Sequence, residues 1–60
     1  MSQDQYSEIE FVLERERERL GSVNPQFSFY QRIAKSAKED ASILQRVHSH
    51  IKSIGSFDGL

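Results

Sequence analysis

The chain of 60 residues contains no cysteine and no tryptophan, and it has a single proline. The absence of cysteine excludes a disulfide scaffold and every thiolate metal site, which are common ways of stabilising a very small protein. No apolar run approaches the roughly 20 residues that a membrane-spanning helix needs. The first residues, Met1–Gln5, also lack the basic and apolar regions of a signal peptide. We therefore expect a cytoplasmic protein that does not contact a membrane.

Neither sign of charge dominates, because 8 Lys and Arg face 9 Asp and Glu, for a net charge of −1. This balance argues against a generic polyanion binder. The charges are nevertheless divided along the chain. Residues 1–20 carry six acids and three arginines, whereas residues 21–60 carry five basic and three acidic residues. We expect this division to favour antiparallel pairing of the two segments by a small, salt-dependent amount.

The apolar spacing predicts an all-α chain, with one helical-hairpin domain over residues 1–60. Its first helix should run from about residue 4 to residue 20, with one apolar stripe that Glu16 interrupts. The stripe consists of Tyr6, Ile9, Leu13 and Leu20. A short loop over 21–26 should follow, because Gly21 suits the end of a helix and Pro25 prevents a continuous one. The second helix begins either at Asn24-Pro25 or at a capping box formed by Ser28 and Gln31.

The second helix should run from about residue 27 to residue 54, followed by a frayed tail over 55–60. Two seven-residue series predict packing along its whole length, in the manner of a coiled coil. They are Tyr30, Ala37, Leu44 and Ile51, and Ile33, Asp40, Val47 and Ile54. An alternative is a break near Ser42 or Ser49 that folds the end of the chain back as a third helix.

The helix lengths predict a homodimer. At about 1.5 Å per residue the second helix is roughly 15 Å longer than the first, so residues 44–54 lack a partner within an antiparallel hairpin. The simplest cover is a second chain, giving a dimeric four-helix bundle. Its interface would contain Leu44, Val47, Ile51 and Ile54. The acids on the apolar stripes, Glu16 and Asp40, would form a polar seam that sets the register of the helices.

Chemistry at a catalytic or metal site is not expected. His48 and His50 lie two residues apart, so a regular helix points them in different directions and they cannot chelate one ion. No nucleophile, pocket or oxyanion donor accompanies the acids Glu16 and Asp40. We therefore expect a non-enzymatic protein with no metal and no cofactor.

Four residues indicate a surface for a partner. Phe11 lies on the charged face of the first helix and Phe29 lies at the loop, while Arg15 and Arg19 form a neighbouring exposed edge. The leading hypothesis is a homodimeric protein-interaction module that docks on a larger protein as an adaptor, inhibitor or assembly factor. One alternative is a nucleic-acid-binding dimer that uses the basic face of the second helix. Another is a structural subunit of a larger assembly.

Overall fold

A computed structural model describes residues 2–60, which form three α-helices. Helix α1 spans Ser2–Leu20, α2 spans Pro25–Glu39 and α3 spans Ala41–Ile54. Every helix packs against the other two, so one core lies between them. The all-helical class predicted from the sequence is confirmed, but the described residues form three helices instead of a two-helix hairpin.

The loop after α1 has the local structure that its residues predict. Gly21 has a positive φ of 91°, and its N–H donates to the carbonyl of Arg17 at 2.8 Å. This left-handed conformation ends a helix and suits glycine. The Asn24 side chain accepts the N–H of Gln26 at 2.8 Å, and Pro25 is the first residue of α2. Of the two predicted starts, the structure therefore has the one at Asn24-Pro25.

Asp40 alone separates α2 from α3. Its backbone is extended (φ −137°, ψ 116°), and its N–H donates to the carbonyl of Ser36 at 3.0 Å, which closes α2. Its carboxylate accepts the N–H groups of Ser42 at 2.9 Å and Ile43 at 3.4 Å, which opens α3. One short acidic side chain thus satisfies amides that the first turn of a helix leaves unpaired.

The single helix predicted over residues 27–54 is therefore wrong. The structure agrees with the alternative of a break near Ser42 that folds the end of the chain back as a third helix, and it places this break at Asp40. The assignment of Asp40 to a polar seam is also wrong, because the residue is exposed at the break. The physical reason is that Asp is a poor residue for a helix interior and a good one for an N-cap.

The break returns α3 to the other helices and covers its apolar face. Leu44, Val47 and Ile51 are buried in the core of their own chain, whereas Ile54 is 58% exposed. The argument that these residues lack a partner within the chain is therefore wrong. A homodimer stays a prediction, but it no longer follows from helix length.

The core combines residues of all three helices with one from the tail. Its members are Ile9, Val12, Tyr30, Ala34, Ala37, Leu44, Val47, Ile51 and Phe57. Glu16 is also buried, at 2% exposure, and its carboxylate accepts two hydrogen bonds from Arg19 at 3.0 and 2.5 Å. The cation that pairs with Glu16 thus comes from the next turn of its own helix. Of the predicted stripe of α1, Ile9 is buried and the other three residues are half-buried against the core.

The tail after α3 contributes the largest fully buried side chain. Phe57 has 0% exposure and stacks on Tyr30, with the ring centroids 5.2 Å apart and the planes inclined by 23°. The predicted fraying of residues 55–60 therefore does not extend to Phe57, which folds back onto the core. Gly55, with a φ of 87°, ends α3 and turns the chain back toward α2.

Replacing Asp40 tests the role of its cap. Asp40→Ala should lower the free energy of unfolding by about 1 kcal/mol, because the first amides of α3 lose their acceptor. Asp40→Ser keeps an oxygen in reach of these amides and should retain most of the stability. Urea unfolding followed by circular dichroism measures both variants, and equal losses would contradict the capping role.

Replacing Phe57 tests the packing of the tail. Phe57→Ala should cost about 3–5 kcal/mol, a large share of the stability of so small a domain. Phe57→Leu retains part of the buried surface and should lose less, which keeps the comparison measurable if the alanine variant unfolds. The control is Ile54→Ala, at an exposed position, with an expected change within about 0.5 kcal/mol. Equal effects at the two positions would show that the tail does not belong to the core.

Candidate functional site

A groove of about 350 Å³ lies between α2 and α3. We call it the α2–α3 groove, and residues of α2, α3 and the tail line it. They are Phe29, Arg32, Ile33, Ser36, Ile43, Arg46, Val47 and Leu60. A larger depression of about 710 Å³ lies between α1 and α2, but long polar side chains such as Gln31, Lys35 and Lys38 line much of it. The α2–α3 groove is therefore the better candidate for apolar contacts.

Helical spacing places the lining residues on facing sides of α2 and α3. Phe29, Ile33 and Ser36 follow one another at intervals of three or four, as do Ile43 and Val47 on the other helix. Residues at these intervals share one face of a helix. The turn at Asp40 is what sets the two faces side by side.

The groove is apolar and open to solvent. Val47 is buried and Ile33 and Ile43 are half-buried, so these three side chains form its floor. Phe29 is 46% exposed and Leu60 is 37% exposed, so they form walls with uncovered apolar surface. Exposed apolar surface that is contiguous and rimmed by polar groups is typical of a docking site.

The charged residues that line the groove are both arginines. Arg32 comes from α2 and Arg46 comes from α3. A guanidinium group is always protonated and offers several donors in one plane, a geometry that matches a carboxylate. The groove thus combines an apolar floor with two fixed positive charges.

The tail is held in place by a polar cluster around Asp58. The hydroxyl of Tyr30 donates to the Asp58 carboxylate at 2.5 Å, and a guanidinium nitrogen of Arg19 lies 3.5 Å from the same oxygen. The Nε2 of His50 donates to the Asp58 carbonyl at 2.6 Å. These contacts join α1, α2 and α3 to the tail, and they fix the segment that carries Leu60.

The cluster changes the acidity of its members in opposite directions. The hydrogen bond from Tyr30, together with the charge of Arg19, lowers the pKa of the Asp58 carboxyl below its ordinary value. Burial raises the pKa of Tyr30, and its hydrogen bond to Asp58 adds to this effect. Both shifts favour the arrangement in which a neutral tyrosine donates to an ionised carboxylate.

The four residues predicted to bind a partner do not share one surface. Phe29 lies in the α2–α3 groove, whereas Phe11 projects from α1 with 68% exposure. Arg15 donates to the carbonyl of Gly55 at 2.5 Å, and Arg19 is bound to Glu16 and to the tail. Both arginines therefore make contacts within the chain. Phe11 and Arg15 line one shallow depression on α1, whereas Phe29 stands on a different surface.

The two histidines make separate contacts. His48 forms a hydrogen bond with Glu8, which links α3 to α1 and lowers the pKa of the Glu8 carboxyl. His50 is half-buried against the tail. Within residues 2–60 no cluster of three or more potential metal ligands occurs.

Sequence reasoning missed most of the groove. Arg32 and Arg46 belong to the basic face predicted for the second helix, and Leu60 was assigned to a frayed tail. The signal in the sequence was Asp40. Aspartate favours the N-cap of a helix, and at this position in the apolar pattern its carboxylate has no cation to pair with. A break placed there would have set the faces of α2 and α3 against each other.

Comparison of the chain with protein-family models, curated proteins and solved structures finds no significant match. In the described part of the chain, none of the helices has the length and apolar character needed to cross a membrane. The groove and its surroundings are thus the basis for a functional interpretation.

The lowered pKa of Asp58 predicts acid sensitivity. Because this pKa is lower in the folded chain than its usual value near 4, ionised Asp58 stabilises the fold above about pH 4. That stability is lost as the pH falls through the lowered value. Asp58→Asn should reduce stability at pH 7 and flatten its decline in acid, measured by urea unfolding at a series of pH values. Glu10→Gln removes an equal charge away from the tail, and an equal flattening in this control would contradict the role of Asp58.

Proposed function

We propose that the chain is a non-enzymatic protein-interaction module that holds an amphipathic helix of a larger protein in the α2–α3 groove. The observation that carries the proposal is the exposed apolar surface of Phe29 and Leu60 beside two arginines. An amphipathic helix would cover this surface with apolar side chains one turn apart.

The apolar part of the groove supplies the favourable free energy of docking. Full burial of a Phe or Leu side chain is worth about 1.5–3 kcal/mol, and the exposed fractions of Phe29 and Leu60 leave part of this unrealised. Aromatic side chains and arginines are also the residue types that most often dominate binding at protein interfaces. Phe29 is therefore the proposed anchor of the contact.

The arginines select the partner by charge. Arg32 and Arg46 stand on opposite helices of the groove, so a helix lying between them would meet a positive charge on either side. Carboxylates bind arginine through two parallel hydrogen bonds, and such bonds are among the stronger ones in proteins. We therefore propose a partner helix in which glutamate or aspartate residues flank the apolar stripe.

The residues that line the groove suit binding better than catalysis. Its charged side chains are the two arginines, and a guanidinium group is a poor general base. Ser36 supplies a hydroxyl, but a nucleophilic serine needs an activating base nearby. We propose no catalytic activity for this chain.

A nucleic-acid partner is less well supported because the basic residues are dispersed. Arg46 lines the α2–α3 groove, Lys35 and Lys38 line the α1–α2 depression, and Arg32 lines both. Lys52 lies beside Phe11 in a third depression, between α1 and α3. The Nζ of Lys38 lies 5.8 Å from the ring centroid of Tyr6. A nucleic-acid backbone is best neutralised by a continuous basic stripe.

The chain also has a core of its own. The tail covers one end of the bundle, and Glu16 has a paired cation in Arg19. These features favour independent folding over a subunit that folds only inside a larger assembly. We still propose that the chain forms a homodimer, and the remaining question is which surfaces form its interface.

A designed peptide tests the groove directly. The probe is a synthetic peptide of roughly 18 residues with leucines one turn apart and glutamates beside them, and its matched control carries lysine for each glutamate. The glutamate peptide should shift the methyl resonances of Ile33, Ile43 and Val47 in NMR spectra of the full chain. The double variant Arg32→Glu/Arg46→Glu should weaken binding at least about tenfold, because it replaces attraction by repulsion.

Two controls separate this result from general charge effects. Lys35→Glu/Lys38→Glu changes the net charge equally but outside the groove, and it should bind the glutamate peptide nearly as well as the unaltered chain. Binding of both peptides alike would contradict selection by charge. Binding of duplex RNA with a steep salt dependence, and of neither peptide, would favour the nucleic-acid alternative.

A further inference from the structure

We infer that the α2–α3 groove of one copy receives α1 of a second copy, with Phe11 as the inserted side chain. This inference rests on the proposed function of the groove and names a specific occupant for it. The surface around the inserted ring is called the Phe11 face. It consists of Phe11, Glu14, Arg15 and Glu18, which line a shallow depression of about 180 Å³.

Phe11 has the exposure and the size that the groove requires. Its side chain is 68% exposed near the middle of α1, although a phenyl ring in water is unfavourable. An apolar cavity of about 150 Å³ is enough to hold benzene, and the α2–α3 groove offers about 350 Å³. The ring therefore has room between Ile33 and Ile43, where Phe29 supplies an aromatic neighbour.

The charges of the two surfaces are complementary. Glu14 and Glu18 follow Phe11 by three and seven residues, so they lie on its side of α1. Glu14 also accepts from Arg17 at 2.6 Å, but this pair is exposed and weak. Arg15 directs its guanidinium to the carbonyl of Gly55 in its own chain.

The Phe11 face therefore presents two carboxylates beside a phenyl ring, whereas Lys52 lines a separate depression on which the ring also borders. The groove presents Arg32 and Arg46 beside an apolar floor. The wider sequence has the same asymmetry, because residues 1–20 have an excess of three acids and residues 21–60 an excess of two basic residues.

The Phe11 face and the groove of one copy do not overlap. The Phe11 face is formed by α1, the groove is formed by α2, α3 and the tail, and they have no lining residue in common. One copy can therefore offer its face to one neighbour and its groove to another. Such a contact is heterologous, and it joins copies head to tail.

Complementary variants test this arrangement. Phe11→Ser removes the inserted ring and keeps the groove, whereas Arg32→Glu/Arg46→Glu alters the groove and keeps the ring. The unaltered chain should gain mass with concentration in sedimentation experiments up to about 1 mM, since a small interface binds weakly. Each variant alone should stay near 7.0 kDa. An equimolar mixture of the two should form a one-to-one complex of about twice that mass, because each supplies the surface that the other lacks.

Matched controls test whether the loss of self-association is specific to the two surfaces. Val23→Ser replaces another exposed apolar residue, and Lys35→Glu/Lys38→Glu matches the charge change outside the groove. Both should associate like the unaltered chain, and circular dichroism should show all variants folded.

Two results would overturn the inference: an unaltered chain that stays monomeric, or a mixture that fails to form the complex. The glutamate peptide then separates the two proposals. If Phe11→Ser still binds it, the groove functions and only the docking of a second copy is wrong. If neither the unaltered chain nor any variant binds the peptide, the proposed function of the groove is wrong as well.

Discussion

The fold depends on the change of chain direction at Asp40, whose carboxylate accepts hydrogen bonds from the first amides of α3. A continuous helix would place this carboxylate on an apolar seam, where a buried charge is costly unless it is paired. At the N-cap the same carboxylate is solvated and satisfies amides that need an acceptor. The change of direction at this residue closes the core within one chain, since it brings Leu44, Val47 and Ile51 back to α1 and α2.

Once α3 folds back, the tail meets the open end of the bundle. A chain of 60 residues buries only about 60% of its unfolded surface, so each large apolar side chain matters. Phe57 fills the space beside Tyr30, and Asp58 binds the hydroxyl of the same tyrosine. The tail also carries Leu60 into the wall of the groove. The segment that completes the core therefore also shapes the proposed binding surface.

Local signals predicted the features that depend on neighbouring residues. The apolar spacing predicts the stripe of α1. Gly21 predicts the end of this helix because glycine tolerates a positive φ, and the capping residue Asn24 before Pro25 predicts the start of α2. The break at Asp40 was predicted only as an alternative, near Ser42, because an apolar period of seven continues across it. This pattern suits one long helix and two short ones equally. The groove was missed for the same reason, since its faces meet only when α2 and α3 turn against each other.

The distribution of large and small side chains bears on what the groove is for. Ala34 and Ala37 are buried, whereas Phe29 on the same helix is 46% exposed. Small residues let the helices approach closely, so the core closes without the ring of Phe29. A polar residue at this position would forfeit the buried part of the ring but would avoid an exposed apolar patch. Folding alone therefore accounts for the buried part of the ring, and the proposed docking of an apolar, acidic partner would account for the exposed part.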